Sequence, residues 1–134
     1  MDEKSSMMAH SDVLVTVYST MVVETAVHGT PIVAAVIDTP GGWNQPKKYS
    51  LSLKEIGNWP THQRFRAAKA GRIAGDEREL RTALNVYLKN PTLDSAEREA
   101  FVKREITYTD ASAGKRTAEF ILKVLKARMA DVPV

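Results

Sequence analysis

The chain has 134 residues and a mass of 14.8 kDa, which is enough for one globular domain and too little for two. Its composition, with 43% hydrophobic and 26% charged residues, is typical of a folded protein and excludes a disordered or fibrous chain. The formal net charge is +3, and the lack of cysteine excludes a disulfide framework, a thiolate metal site and a cysteine nucleophile.

The first ten residues, MDEKSSMMAH, contain two acidic side chains and lack the apolar core of a secretory signal peptide. The longest apolar run, residues 31–37, is far shorter than the roughly 20 residues that cross a bilayer, so we expect no membrane span. The lack of cysteine agrees with a reducing compartment. The expected location is therefore the cytoplasm.

Residues 12–17 are apolar and β-branched on both faces, which predicts a buried central strand of a parallel sheet. Ser19 and Thr20 then supply a helix start, and this helix is predicted to end at Gly29. A second apolar strand follows over residues 31–37. The order of strand, helix and strand predicts a βαβ unit with parallel strands.

Residues 38–50 contain two consecutive glycines and two prolines, which predicts a long loop at the carboxyl end of the second strand. Loops at that edge of an α/β sheet usually face the ligand. The chain then predicts a short helix over residues 51–56 and a longer one over residues 61–70, closed by Gly71. A short third strand is predicted at Arg72–Ala74.

The C-terminal half predicts three further helices. Asp76 and Glu79 form a capping box ahead of apolar residues at helical spacing, and that helix should end at Asn90. The other two should cover residues 94–105 and 112–128. Basic and acidic residues alternate along these helices, which predicts solvated faces and argues against a nucleic-acid partner.

Two or three parallel strands beside four or five helices make a thin sheet for an independent α/β domain. We interpret residues 1–134 as one Rossmann-like domain whose companion strands belong to another chain or to a longer two-domain protein. Unpaired strand edges and bare apolar faces predict a homodimer, with the edge of the first strand or residues 1–10 at the interface. A missing N-terminal domain is the alternative partner.

The start of the first predicted helix carries the main functional hypothesis. Ser19 and Thr20 lie where backbone N–H groups and the helix dipole favour a phosphate; the alternative is that a hydroxyl merely caps the helix. Glu24 lies one turn beyond Thr20, where a carboxylate can accept hydrogen bonds from a ribose diol; the alternative is a solvated side chain. Tyr18 adjoins this group as a further candidate.

Residues 12–33, DVLVTVYSTMVVETAVHGTPIV, resemble the nucleotide-binding motif in the C-terminal domain of GT-B glycosyltransferases. The Tyr-Ser-Thr form with its acid at Glu24 is most similar to the CDP-glycerol glycerophosphotransferase group, and the spacing from Glu24 to Gly29 also fits the non-hydrolysing sugar-nucleotide 2-epimerases. Asp110 ahead of Gly114-Lys-Arg116 resembles the D-G-x-x-x-x-R tail of such transferases, although here three residues separate Asp110 from Gly114.

The resemblance implies a GT-B half-domain in which Ser19 and Thr20 contact the donor diphosphate and Glu24 contacts the donor ribose. It implies transfer of a sugar or glycerol phosphate from a UDP- or CDP-linked donor. The family's acceptor-binding domain and usual catalytic base lie on an N-terminal half that this chain lacks, so we assign no catalytic residue and expect no turnover alone. The alternatives are a stand-alone nucleotide or nucleotide-sugar binding module, and an assembly domain in which the motif is only structural.

Five other residues have two interpretations each. Asp38 is a donor contact or a turn residue, and His62 is an acid–base group or a helix-start residue. Trp43 and Trp59 stack on a base or sugar, or cover the edge of the core. Arg116 reaches a phosphate or is a solvated helix residue. Three scattered histidines have no metal-ligand spacing, so we expect no metal and no cofactor.

Overall fold

The computed structural model describes residues 3–38 and 52–130, which form an α/β fold of three strands and seven helices. The strands are β1 (Leu14–Thr16), β2 (Ile32–Ala35) and β3 (Arg72–Ala74). The helices are α1 (Glu3–His10), α2 (Met21–Val27), α3 (Leu53–Ile56), α4 (Pro60–Ala68), α5 (Glu77–Lys89), α6 (Ser95–Glu105) and α7 (Ala113–Ala130). The fold is the predicted one: a partial Rossmann-like domain with a parallel sheet between helices.

The described sheet has the order β1-β2-β3, and both strand pairs are parallel. The prediction that the first strand is central is therefore wrong for this sheet, because β2 lies in the middle. Ile32, Val33 and Ala34 of β2 are fully buried, whereas Val15 and Val17 are 45% and 48% exposed. β2 lies between β1 and β3, and residues 31–37 are apolar throughout, whereas residues 12–17 include Asp12 and Thr16.

The two faces of the sheet are covered unequally. Alternate residues of a strand point to opposite faces, so Ile32 and Ala34 pack into one core cluster and Val33 packs into another. The larger cluster includes Phe65 of α4 and Phe101 of α6, whose rings meet edge to face at 5.7 Å between centroids. On the opposite face α5 packs over β2 and β3 and leaves Val15 of β1 exposed.

The ends of α4 and α5 show how local sequence sets helix boundaries. The predicted cap is confirmed at α5, where the Asp76 carboxylate accepts from the Glu79 N–H at 2.7 Å. The Glu79 carboxylate accepts in return from the N–H of Gly75, one residue before Asp76, at 2.7 Å. By contrast, α4 ends at Ala68 and the next residue, Lys69, adopts the left-handed conformation with φ 53°. Gly71 does not close the helix as predicted, and it lies instead against the backbone of β2.

The first helix is not predicted by the sequence, and the last helix is predicted but leaves its apolar side chains exposed. Helix α1 was not predicted, because residues 3–10 lack an apolar periodicity; it packs against α2 and buries Met8. Helix α7 was predicted, but its apolar stripe is exposed in the described structure. Those exposed side chains are Phe120, Ile121, Val124 and Leu125. Among the described helices none is both long enough and apolar enough to cross a bilayer.

Candidate functional site

The segment after β1 lies at the carboxyl end of the parallel sheet. The Ser19 hydroxyl accepts a hydrogen bond from the Met21 N–H at 3.0 Å, so it caps the first turn of α2. Thr20 is exposed and its side chain makes no capping hydrogen bond. Ser19 therefore acts as the helix cap, as the alternative interpretation expects. The Thr20 hydroxyl does not cap the helix and is exposed to solvent.

Glu24 lies on α2, and its carboxylate forms an ion pair with Lys4 of α1 at 2.7 Å. The two side chains are 44% and 56% exposed, so water reaches both. Lys4 is not among the predicted site residues, because residues 3–10 show no apolar periodicity that indicates a helix. Any ribose bound by Glu24 would therefore lie beside an ammonium group as well as a carboxylate.

Tyr18, Trp59 and His62 form an aromatic stack. The His62 ring lies 4.8 Å from the Tyr18 ring and 6.4 Å from the Trp59 ring, measured between centroids. Tyr18 and His62 are buried, whereas Trp59 is 50% exposed. Burial raises the pKa of Tyr18, and burial lowers the pKa of His62, which favours a neutral imidazole. His62 occupies the first turn of α4, as the helix-start interpretation expects.

Asp38 lies three residues after the end of β2 and contacts the start of α3. Its carboxylate accepts from the Ser52 hydroxyl at 2.7 Å and from the Leu53 N–H at 2.8 Å. These bonds tie Asp38 to the start of α3, which is the turn role considered for it. The predicted loop beyond Asp38, with Trp43, lies outside the described residues.

The Asp110 motif is satisfied locally at the start of α7. Arg116 donates to both oxygens of Asp110 at 2.9 and 3.0 Å and to the Ser112 hydroxyl at 2.6 Å. Its guanidinium also lies 4.0 Å from the centroid of the Tyr108 ring. The hydrogen bonds from Arg116 and Ser112 hold the pKa of Asp110 well below its usual range. These contacts lie within residues 108–116, so the motif fixes the turn into α7.

Within residues 3–38 and 52–130, no group of three or more histidines and carboxylates is arranged to hold a metal ion. The parallel sheet, with hydroxyl and acidic side chains following its first strand, defines a partial Rossmann-like domain. The family described as CDP-glycerol:poly(glycerophosphate) glycerophosphotransferase matches residues 1–123. The chain belongs to this family, which confirms the resemblance of its motif. No curated protein and no solved structure is significantly similar to the chain.

Proposed function

We propose that this chain is the donor-binding part of a cytoplasmic GT-B transferase that uses a CDP- or UDP-linked donor, with CDP-glycerol as the first candidate. The observation that carries the proposal is the family match over residues 1–123. That match spans the β1–α2–β2 unit and the Asp110 motif. The proposal places the donor at the carboxyl edge of the sheet, where open α/β folds bind nucleotides.

The proposed donor contacts are Thr20 and Ser19 for the phosphates and Glu24 for the ribose. Thr20 is exposed beside the first turn of α2, and the Ser19 hydroxyl retains acceptor and donor capacity after accepting from Met21. When the group is transferred, negative charge grows on the leaving nucleotide, and donors fixed in advance stabilise that charge. We assign no general base to this chain and propose that it does not turn over alone.

A calorimetric titration of the folded protein with CDP, CDP-glycerol and UDP tests the proposal. We expect at least one of these ligands to bind below millimolar concentration. A folded protein that binds none of them contradicts the donor-site proposal. Nucleotide binding without any transfer, even with the rest of a two-domain protein present, would favour the alternative of a binding module without catalysis.

Replacing Glu24 with glutamine should weaken nucleotide binding by about 1.5–3 kcal/mol, because hydrogen bonds to a charged group contribute that much. The fold should tolerate the change, since a half-exposed ion pair such as that with Lys4 contributes little to stability. The measurements are calorimetric affinity and a thermal unfolding curve. Glu77→Gln is the matched control, because Glu77 forms a similar exposed pair with Arg81 on α5. Unchanged affinity in Glu24→Gln assigns this carboxylate to the α1–α2 contact alone.

We further propose that β1 pairs with another chain or domain, either a second copy or an N-terminal domain of a longer protein. The outer edge of β1 is unpaired within the described sheet. Val15 in this strand and Val17 just after it are about half exposed. Strand edges with apolar faces of this kind associate readily. Next to them, an apolar groove of about 320 Å³ between α1, β1 and α2 is lined by Met7, Met8, Leu14 and Met21 among others.

For the chain by itself we expect a homodimer, which sedimentation or light scattering at micromolar concentration measures. Val15→Asp should shift the equilibrium to monomer, because it places a charge in the apolar contact. Leu88→Asp is the control, since Leu88 is an apolar residue that is 60% exposed and belongs to α5, not to the strand edge. A well-behaved 14.8 kDa monomer for the unmodified chain contradicts the homodimer.

A further inference from the structure

The aromatic stack of Tyr18, His62 and Trp59 lies at the same edge as the proposed donor contacts. Tyr18 immediately precedes Ser19, and α4 begins at this edge because the chain must return from the end of β2 to the start of β3. Gly57 packs directly against the Tyr18 ring, so a Cβ at this position would come 2.6 Å from the ring. Its outer member, Trp59, is 50% exposed.

The middle member of the stack, His62, is a buried polar residue with a nitrogen that the described residues leave unsatisfied. His62 is 6% exposed, and its Nδ1 is buried without a hydrogen-bond partner among the residues that the structure describes. Nearly all buried polar atoms in native proteins have a partner, and a phenyl ring would fill this place without leaving one unsatisfied. Packing alone therefore does not account for an imidazole at this position.

A cation lies beside the stack. The Arg66 guanidinium donates to the Gly57 carbonyl at 3.3 Å and to the Asn58 side-chain oxygen at 3.4 Å, two long bonds to neutral acceptors. Its charge lowers the pKa of Tyr18, against the larger effect of burial, so it lies near the phenol. Several other arginines are paired with a carboxylate within 2.9 Å, namely Arg64, Arg72, Arg81 and Arg116. Among the described residues Arg66 has no such partner.

We propose that the nucleotide of the donor binds over this stack, with its base against the exposed face of Trp59 and a phosphate at Arg66. This assignment rests on the proposed function and names the residues that would recognise the nucleotide. A pyrimidine ring gains from stacking on indole whatever its substituents, and a guanidinium suits a phosphate because its N–H groups match two oxygens. The neutral His62 supports Trp59 from below and leaves Arg66 as the charged group.

Tryptophan fluorescence provides a direct readout, because the chain has two tryptophans. In Trp43→Phe, Trp59 is the remaining emitter, and CDP should quench it with the same dissociation constant that calorimetry gives. Trp59→Ala and Arg66→Ala should each raise the dissociation constant for CDP about tenfold, the lower range for loss of one stacked base or one charged contact. Trp59→Phe should keep most of the affinity. Arg81→Ala, which removes an exposed arginine on α5, should bind CDP as the unmodified chain does.

The outcomes separate this assignment from the proposed function. If CDP binds the unmodified chain but neither quenches Trp59 nor binds Trp59→Ala and Arg66→Ala more weakly, the stack is not the nucleotide site and the donor proposal survives. If CDP, CDP-glycerol and UDP all fail to bind the folded chain, both proposals fail. Should Trp59→Ala not fold, the quenching of Trp43→Phe and the affinity of Arg66→Ala decide the question.

Discussion

Replacing Arg98 with alanine is expected to lower the free energy of unfolding by about 2–4 kcal/mol, a large share of the stability of a small domain. Arg98 of α6 is 1% exposed and donates to three backbone carbonyls. These belong to Leu93 at 2.8 Å, Pro91 at 3.2 Å and Gly29 at 3.2 Å. The side chain thus ties α6 to the turn between α2 and β2. Alanine leaves these carbonyls without their donor and a cavity beside them.

Urea unfolding followed by circular dichroism measures this effect. Arg98→Lys should be intermediate, because it keeps the charge and loses the planar fork that reaches three acceptors. Lys103→Ala on the same helix is the control, since Lys103 is exposed and forms an ion pair with Glu99 one turn away. If Arg98→Ala unfolds at the same urea concentration as Lys103→Ala, the carbonyl contacts do not stabilise the fold.

Gly71→Ala is expected to destabilise the protein by about 3 kcal/mol, through overpacking and not through helix capping. A Cβ at Gly71 would lie 2.5 Å from the Ile32 carbonyl oxygen and 2.8 Å from the Phe65 ring. The carbonyl belongs to the backbone of β2 and cannot rotate away, so β2 and the start of β3 would have to separate. Thermal unfolding should show a clear fall in the midpoint.

Gly114→Ala provides the comparison for that prediction. A Cβ at Gly114, in the first turn of α7, would have no atom within 4 Å, so alanine should leave stability unchanged or raise it slightly. Equal midpoints for the two alanine variants would mean that the strands near Gly71 adjust without cost.

The local pattern of the chain was sufficient to predict most elements and their parallel arrangement. Residues 12–17 and 31–37 are short β-branched runs around an amphipathic segment, and Asp76 with Glu79 marks a helix start. These signals lie within a few residues of one another, so they persist whatever the rest of the chain does. The motif around Ser19 and Glu24 is equally local, and for that reason the family was recognisable from sequence.

Only the tertiary structure decided which strand lies in the middle of the sheet and which partners the polar side chains contact. β1 and β2 both lie in short runs with β-branched residues, but pairing with strands on both sides places β2 in the middle of the described sheet. In sequence, Arg98 is one of several charges on a helix that looks solvated. In the structure it is buried and donates to the carbonyl of Gly29, 69 residues away. Glu24 meets Lys4 only because α1 folds against α2. Such contacts join distant residues, and hydrophobic periodicity and capping signals report only on neighbours in the chain.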